Sequence, residues 1–115
     1  MLCIVTSVHD PAALAAACRR LGLSPPEQGR FPLGGRETPG WAVRLPGLRG
    51  PVVFDTLSGL AAYDPRDNAF APYHRIARFI YRYYDIRAVL RRGDTIVARR
   101  PQVRRRRPMR AGEVA

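Results

Sequence analysis

Apolar positions follow two different periods along this chain, and the two periods predict both strands and helices. Residues 2–8 are apolar and rich in β-branched side chains, which predicts a central strand. Residues 41–45 alternate between apolar and polar, which predicts a strand with two unlike faces. Residues 52–54 and 60–63 are two further short apolar runs, and the turn between them ends in Gly59, which predicts a hairpin.

Two segments have the helical period instead. Asp10 can accept hydrogen bonds as an N-cap, Pro11 suits the first helical position, and Gly22 suits the end of the helix. The first helix is therefore predicted over residues 12–21. A second helix is predicted over residues 73–92, with Gly93 as its stop. Its apolar stripe contains Ile76, Phe79, Ile80, Tyr83 and Leu90.

Residues 24–39 are rich in proline and glycine and are predicted to form a loop, with a short strand over residues 29–33 left open. Residues 95–98 predict one more strand after the second helix. The predicted order is β-α-β-β-β-α-β. We therefore expect an α+β fold of two layers, with a mostly antiparallel sheet and both helices on one face.

The length and composition favour one domain over residues 1–100, followed by a disordered arginine-rich tail over residues 101–115. No run of residues is long and apolar enough to cross a membrane, and the start of the chain lacks the basic residues of a signal peptide. We expect a cytoplasmic protein. Cys3 and Cys18 match no zinc-site spacing and are expected to be free thiols.

Charge is distributed unevenly along the chain. All twenty cationic side chains are arginine. Residues 1–74 contain seven arginines and six acids, whereas residues 75–115 contain thirteen arginines and three acids, a net charge of +10. This asymmetry indicates a polyanionic partner, which is nucleic acid, an acidic protein surface or anionic lipid.

No catalytic constellation stands out in the sequence. Neither Ser7 nor Ser58 lies in a nucleophile elbow, and Ser58 followed by Gly59 is typical of a hairpin turn. Gly34 and Gly35 do not lead into a helix, so they do not form a phosphate-binding loop. We expect no enzymatic activity and no cofactor.

A metal site is the other alternative that the sequence offers. Its oxygen and nitrogen ligands would be Asp55, Asp64, Asp67 and His74. All three aspartates begin turns, and local hydrogen bonding explains them more simply.

The best functional candidates are arginines near the end of the chain. Arginine next to aromatic rings suits both phosphate contact and base stacking, as in the second helix. An acid-free tail binds nucleic acid without sequence preference, docks on an acidic protein, or remains solvated without a partner, and these alternatives stay open. The candidate nucleic-acid-binding residues are Arg78, Tyr81, Arg82, Arg99, Arg100, Arg104, Arg105, Arg106, Arg107 and Arg110.

A set of turn and core residues is spread over positions 4–97. They are Thr6, Ser7, Val8, Asp10, Leu14, Ala17, Leu21, Gly22, Val53, Phe54, Asp55, Gly59, Ala62, Tyr63, Asp64, His74, Tyr83 and Gly93. In these residues the chain resembles a family of unknown function, the hypothetical chloroplast reading frame thirty-five family. A Ser-His-Phe start is typical of that family, whereas this chain has Leu2, Cys3 and Ile4, and the arginine-rich tail is a second departure. The resemblance implies no catalytic residues and an accessory role beside an AAA-type ATPase.

Two functions follow as hypotheses. The first is a small accessory protein that binds nucleic acid non-specifically through its arginine-rich C-terminal segment, helped by the arginine face of the second helix. The alternative is a protein-interaction adaptor for a partner such as an AAA-type ATPase. The sequence gives no oligomeric state.

Overall fold

The computed structural model describes residues 1–67 and 71–92. A five-stranded antiparallel sheet and two helices make up an α+β fold, as the sequence predicts. No helix within these residues is both long and apolar enough to cross a bilayer. The elements are β1 (Leu2–Val5), α1 (Pro11–Arg20), β2 (Glu27–Leu33), β3 (Arg36–Val43), β4 (Val52–Asp55), β5 (Leu60–Tyr63), a short 3-10 turn (Pro65–Asp67) and α2 (Pro72–Arg91).

The strands are arranged in the order β1-β5-β4-β3-β2, so that β1 and β2 are the two edges. The prediction of a central strand at the start of the chain is therefore wrong, since β5 is the one neighbour of β1 within the described residues. In the register, Ala42 lies opposite Val53, and Val53 lies opposite Ala62. Side chains of one such cross-strand row share a face of the sheet, because successive residues of a strand point to opposite faces. The row of Trp41, Phe54 and Ala61 therefore points to the opposite face.

The hairpin of β4 and β5 was predicted from its turn, and the structure confirms it. Asp55 Oδ1 accepts hydrogen bonds from the N–H groups of Leu57 and Ser58 at 3.0 and 3.4 Å. Gly59 has a φ of +84°, and a Cβ there would lie 2.5 Å from the carbonyl oxygen of Thr6. Only glycine therefore fits this turn without displacing the backbone of the β1–α1 loop.

The prediction of a loop over residues 24–39 is wrong for most of the segment, whereas the short strand left open over residues 29–33 lies within β2. These residues contribute β2 and the first part of β3, which form a hairpin closed by Gly34 and Gly35. The two glycines have φ values of +58° and +83°, the pair of positive angles that a type I′ turn requires. The order of helices and strands along the described residues is therefore β-α-β-β-β-β-α. Most of β2 is exposed, as is typical of an edge strand. Its sequence therefore lacks the alternation of apolar and polar residues that predicts a strand with one buried face.

This hairpin curls over the face of the sheet that carries no helix. Leu33 is 2% exposed and packs in a small cluster with Ala42, Val53 and Ala62. The tip of the hairpin reaches the start of β1, where Thr38 Oγ1 lies 3.5 Å from the sulfur of Met1.

Both helices pack on the opposite face, as predicted. Asp10 caps α1 by accepting hydrogen bonds from Ala12 and Ala13, and Gly22 follows the helix with a φ of +73°. The main core contains Phe54 from the sheet and Tyr83 from α2. The larger set of buried residues on this face also includes Leu14, Ala17 and Cys18 of α1 and Ile76, Phe79, Ile80 and Ile86 of α2.

Several predicted boundaries moved. The first helix, predicted over residues 12–21, spans Pro11–Arg20. The strand predicted over residues 2–8 ends at Val5, because both the amide and the side-chain hydroxyl of Thr6 donate to the carbonyl oxygen of Gly59 and turn the chain. The strand predicted over residues 41–45 ends at Val43. The second helix begins at Pro72, directly after Ala71, which has a φ of +52°. The predicted strand over residues 95–98, the stop at Gly93 and the tail lie outside the described residues.

Candidate functional site

The α2 helix carries most of the net positive charge in the described part of the chain. Its twenty residues contain five arginines and one acid, Asp85. One face is buried and apolar, so the arginines are distributed over the two flanks and the solvent side. The arginines are Arg75, Arg78, Arg82, Arg87 and Arg91.

Two tyrosines hold α2 against the loop between β1 and α1. The hydroxyl of Tyr83 accepts a hydrogen bond from the amide of Asp10 at 3.1 Å, and the hydroxyl of Tyr84 accepts one from the amide of Ser7 at 2.8 Å. Tyr83 is fully buried, which confirms its predicted place in the core. These bonds fix the rotation of α2, and therefore fix the direction in which its arginines point.

Arg78 and Arg82 line a cleft of about 370 Å³ on one flank of α2. The floor of the cleft is apolar, with Phe79 at its base. The remaining walls come from the end of α1 and from the segment that follows β3. They are Leu21, Leu23, Leu45 and Pro46, with Arg75 beside them.

Arg75 differs from the other two arginines because it supports the wall of the cleft. Its Nη1 donates a hydrogen bond to the carbonyl oxygen of Pro46 at 3.4 Å. Its guanidinium also lies against Gly47, where a Cβ would come within 2.5 Å of Nη1. Arg75 therefore holds the segment after β3 against α2 and shapes the site.

Arg78 and Arg82 are exposed, and neither forms an ion pair or a side-chain hydrogen bond with any side chain of residues 1–66 or 71–92. None of the side chains that line the cleft is a carboxylate. Two exposed cations beside an apolar floor attract anions, because an apolar wall lowers the local dielectric constant and strengthens the interaction between charges. The cleft is therefore suited to a ligand that is both anionic and partly apolar.

Tyr81 belongs to the same helix but not to the cleft. Its side chain is 68% exposed, and its ring lies edge-on to Tyr84 at a centroid distance of 6.4 Å. Tyr84 is on the other flank of α2, where Ser7, Arg87 and Arg91 share a second hollow with it. The structure thus brings Arg78 and Arg82 together and places Tyr81 outside the cleft that they line.

The other predicted candidates in the tail lie outside the described residues. They are Arg99, Arg100, Arg104, Arg105, Arg106, Arg107 and Arg110.

Among the side chains of residues 1–66 and 71–92, no three potential metal ligands come together, so Asp55, Asp64 and His74 do not form the alternative metal site by themselves. The side chain of Asp67 lies outside the described part of the chain. Asp64 Oδ1 accepts a hydrogen bond from the amide of Arg66 at 3.0 Å, so Asp64 stabilises its own turn. This backbone hydrogen bond is also the main reason that the pKa of Asp64 is below its usual range. For Asp55, desolvation raises the pKa, but hydrogen bonds from Ser58 and Leu57 outweigh it and leave the pKa lowered.

The apolar floor of the cleft is the part of the site that the sequence did not reveal. Leu21 was predicted as the last residue of the first helix, and Leu45 was predicted as the end of a strand. The pair Leu21 and Leu23 could have indicated the floor. Leu23 follows the helix stop at Gly22, so α1 itself cannot bury it, and its apolar side chain must pack elsewhere.

Comparison of the chain with protein-family models, curated protein sequences and solved structures found no match. The resemblance to the plastid reading-frame family therefore stays a prediction.

Proposed function

We propose that this chain is a non-enzymatic accessory protein that binds nucleic acid without sequence preference. Arg78 and Arg82 of α2 make phosphate contacts beside the cleft, and the arginines of the C-terminal segment add further contacts. The net charge of +11 attracts the negatively charged nucleic acid backbone from a distance.

The observation that carries this proposal is the state of Arg78 and Arg82. Arginines in a structural role are engaged by acceptors, as Arg75 is by Pro46. Arg78 and Arg82 have no such acceptor in the described part of the chain, although they lie about 6 Å apart along the axis of one helix. Guanidinium groups bind phosphate oxygens in bidentate geometry, so a row of them suits a nucleic acid backbone.

The test is fluorescence anisotropy of a labelled oligonucleotide with the full chain over a series of salt concentrations. Each phosphate contact that is lost lowers the slope of log affinity against log salt by about one. Arg78→Gln combined with Arg82→Gln is expected to lower the slope by about two.

A matched control removes the same charge from elsewhere. Arg30→Gln combined with Arg36→Gln changes two exposed arginines of the β2–β3 hairpin, and it is expected to lower the slope by less than about one. Replacement of Arg104, Arg105, Arg106 and Arg107 by glutamine tests the contribution of the tail in the same assay. Equal losses in the α2 pair and the hairpin pair would contradict a localised site. No binding at low salt would overturn the proposed function.

A further inference from the structure

We infer that the cleft between α1 and α2 receives one unstacked base of a single-stranded nucleic acid, with Arg78 and Arg82 on the flanking phosphates. This inference rests on the proposed function and adds the class of nucleic acid to it. It follows from the position of an apolar floor directly beside two exposed arginines that form no ion pair in the described part of the chain.

The apolar floor is the feature that phosphate contact alone does not explain. Phe79 and Leu45 are almost fully buried, whereas Leu21 and Leu23 remain partly exposed at the wall of the cleft. A base that leaves its stack exposes a large and weakly polar ring surface, which gains free energy when an apolar surface covers it. The floor and the arginines therefore match the two parts of a nucleotide.

The size of the cleft also favours a single base. Its volume of about 370 Å³ is near the lower end of the range for ligand pockets, about 300–1,000 Å³. A duplex keeps its bases inside the stack, and extracting one costs unpairing and unstacking energy, whereas a single strand offers its bases at less cost. The cleft therefore selects single strands.

The chemistry of the lining predicts tolerance of sequence. Its side chains are apolar or arginine, and none is a serine, threonine, asparagine or glutamine that could read the edge of a base. The carbonyl oxygen of Pro46 already accepts a hydrogen bond from Arg75. Bases are then held by their faces, which all four bases have.

An acidic peptide would need features that this cleft lacks. Extended peptides bind by adding a strand to a free sheet edge, but the walls of the cleft come from helices and from the segment after β3. Helical peptides need a groove that accepts anchors over two turns of helix. A compact cleft with eight lining residues fits a ring better than either kind of peptide.

The experiment compares a thymidine single strand of about 15 nucleotides with a duplex of the same length, a size near the upper limit for one small binding domain. Electrostatic attraction alone favours the duplex, because counterion release per phosphate is greater for the duplex than for a single strand. The expected result for the full chain is the reverse, with affinity for the single strand about tenfold higher.

The decisive variant is Leu23→Trp, which fills the cleft and changes no charge. We expect it to lower single-strand affinity about tenfold and to leave duplex affinity unchanged. Leu57→Trp adds the same side chain at a position that is 92% exposed on the β4–β5 turn, and it is expected to change neither affinity. Unfolding curves of both variants confirm that they are folded.

A measurement on the unaltered chain makes the test independent of any variant. A fluorescent adenine analogue placed in the single strand emits more strongly when it leaves the stack, so saturation with protein is expected to raise its emission. An unchanged emission, together with duplex affinity equal to or above single-strand affinity, would overturn the inference and leave the proposed function intact.

Two further outcomes separate the inference from its alternatives. Failure of both oligonucleotides to bind at low salt would overturn the proposed function itself. An acidic peptide of alternating glutamate and phenylalanine serves as the competitor. If it bound more tightly than the single strand and lost its binding with Leu23→Trp, the ligand of the cleft would be a protein.

Discussion

The two faces of the sheet are covered in different ways. On one face, α1 and α2 enclose a core of seventeen buried residues, in which the ring centroids of Phe54 and Phe79 are 5.8 Å apart. On the other face, the curled β2–β3 hairpin covers four buried residues, to which the hairpin tip contributes Leu33. The helical face therefore supplies most of the hydrophobic free energy of folding, because that contribution grows with the apolar area buried.

The comparison also explains where the candidate site can be. The cleft lies at the margin of the large core, where two helices and the segment after β3 meet, and its shape depends on how these elements pack. The smaller core holds the hairpin in place and contributes no residue to the cleft. Mutations on the two faces should therefore have separable effects on stability and on binding.

The largest effect is expected from truncation of the large core. Phe54→Ala removes a ring that is 1% exposed, and we expect a loss of about 3–5 kcal/mol in the free energy of unfolding. Leu33→Ala in the small core is expected to cost about 2 kcal/mol, since the hairpin tip can shift to fill part of the cavity. Urea unfolding followed by circular dichroism measures both values.

Amide hydrogen exchange shows which elements lose stability in the Leu33→Ala variant. Leu33→Ala is expected to raise amide hydrogen exchange in β2 and at the tip of β3 and to leave α1 and α2 protected. A global loss of protection in the Leu33 variant, or a loss of stability as large as that of Phe54→Ala, would show that the two cores unfold as one.

A smaller effect is expected at the bend that turns β3 toward the second face. Gly40 has a φ of +150°, and a Cβ there would lie 2.6 Å from the carbonyl oxygen of Phe54. Gly40→Ala therefore combines backbone strain with a clash against backbone, and we expect a loss of about 2–3 kcal/mol.

Gly22→Ala is the matched control on the helical face. Gly22 has a φ of +73°, but a Cβ there would have no neighbour within 4 Å, so we expect only the strain of about 1 kcal/mol. The midpoints of thermal unfolding rank the two variants. Equal midpoints would mean that β3 relaxes at Gly40 and that the bend is not fixed by the close approach to Phe54.

The helical face was predictable because its residues repeat along the chain. The N-cap at Asp10 and the stop at Gly22 bound α1, and the stripe from Ile76 to Ile86 marks the buried side of α2. Such signals are local, since each depends on residues within one or two turns of helix. The β4–β5 hairpin was predictable for the same reason.

The hairpin face was not predictable in this way. Of the seven residues of β2, Leu33 is the one that is fully buried, and it is buried by residues distant in sequence, Val53 and Ala62. The two glycines at positions 34 and 35 were assigned to a loop because residues 24–39 are rich in proline and glycine. The hairpin bends over the sheet and buries Leu33 there, and this tertiary contact is not encoded by residues close in sequence.

Within the candidate site, too, some residues could be predicted from local patterns and others could not. Arg78 and Arg82 could be predicted from the helical period of α2, because solvent-facing positions follow directly from the buried ones. The floor could not, since Leu23 and Leu45 are far apart in the chain and converge only in the packed fold. Local patterns thus predicted the charges of the site but not the apolar surface beside them.

The smallest effect on stability is expected at Cys3, one of two thiols that lie on opposite faces of the sheet. Cys3 lies opposite Ala62 in the register and is exposed at the hairpin face, whereas Cys18 is fully buried on the inner side of α1. Burial raises the pKa of Cys18 from 9.0 to about 11, and the thiolate is the reactive form. A disulfide reagent at pH 8 is therefore expected to modify Cys3 promptly and Cys18 only on unfolding.

The pH dependence of the free energy of unfolding gives a second readout for the buried thiol of Cys18. Because the pKa of Cys18 is higher in the folded chain, burial of its neutral thiol stabilises the fold below pH 9, and this contribution is lost as the pH rises from 9.0 to about 11. Cys3→Ser leaves Cys18 as the sole thiol, and as an exposed substitution it is expected to change the free energy of unfolding by less than about 0.5 kcal/mol. Prompt labelling of Cys18 in this folded variant would contradict the difference between the two faces, because it would place solvent inside the larger core.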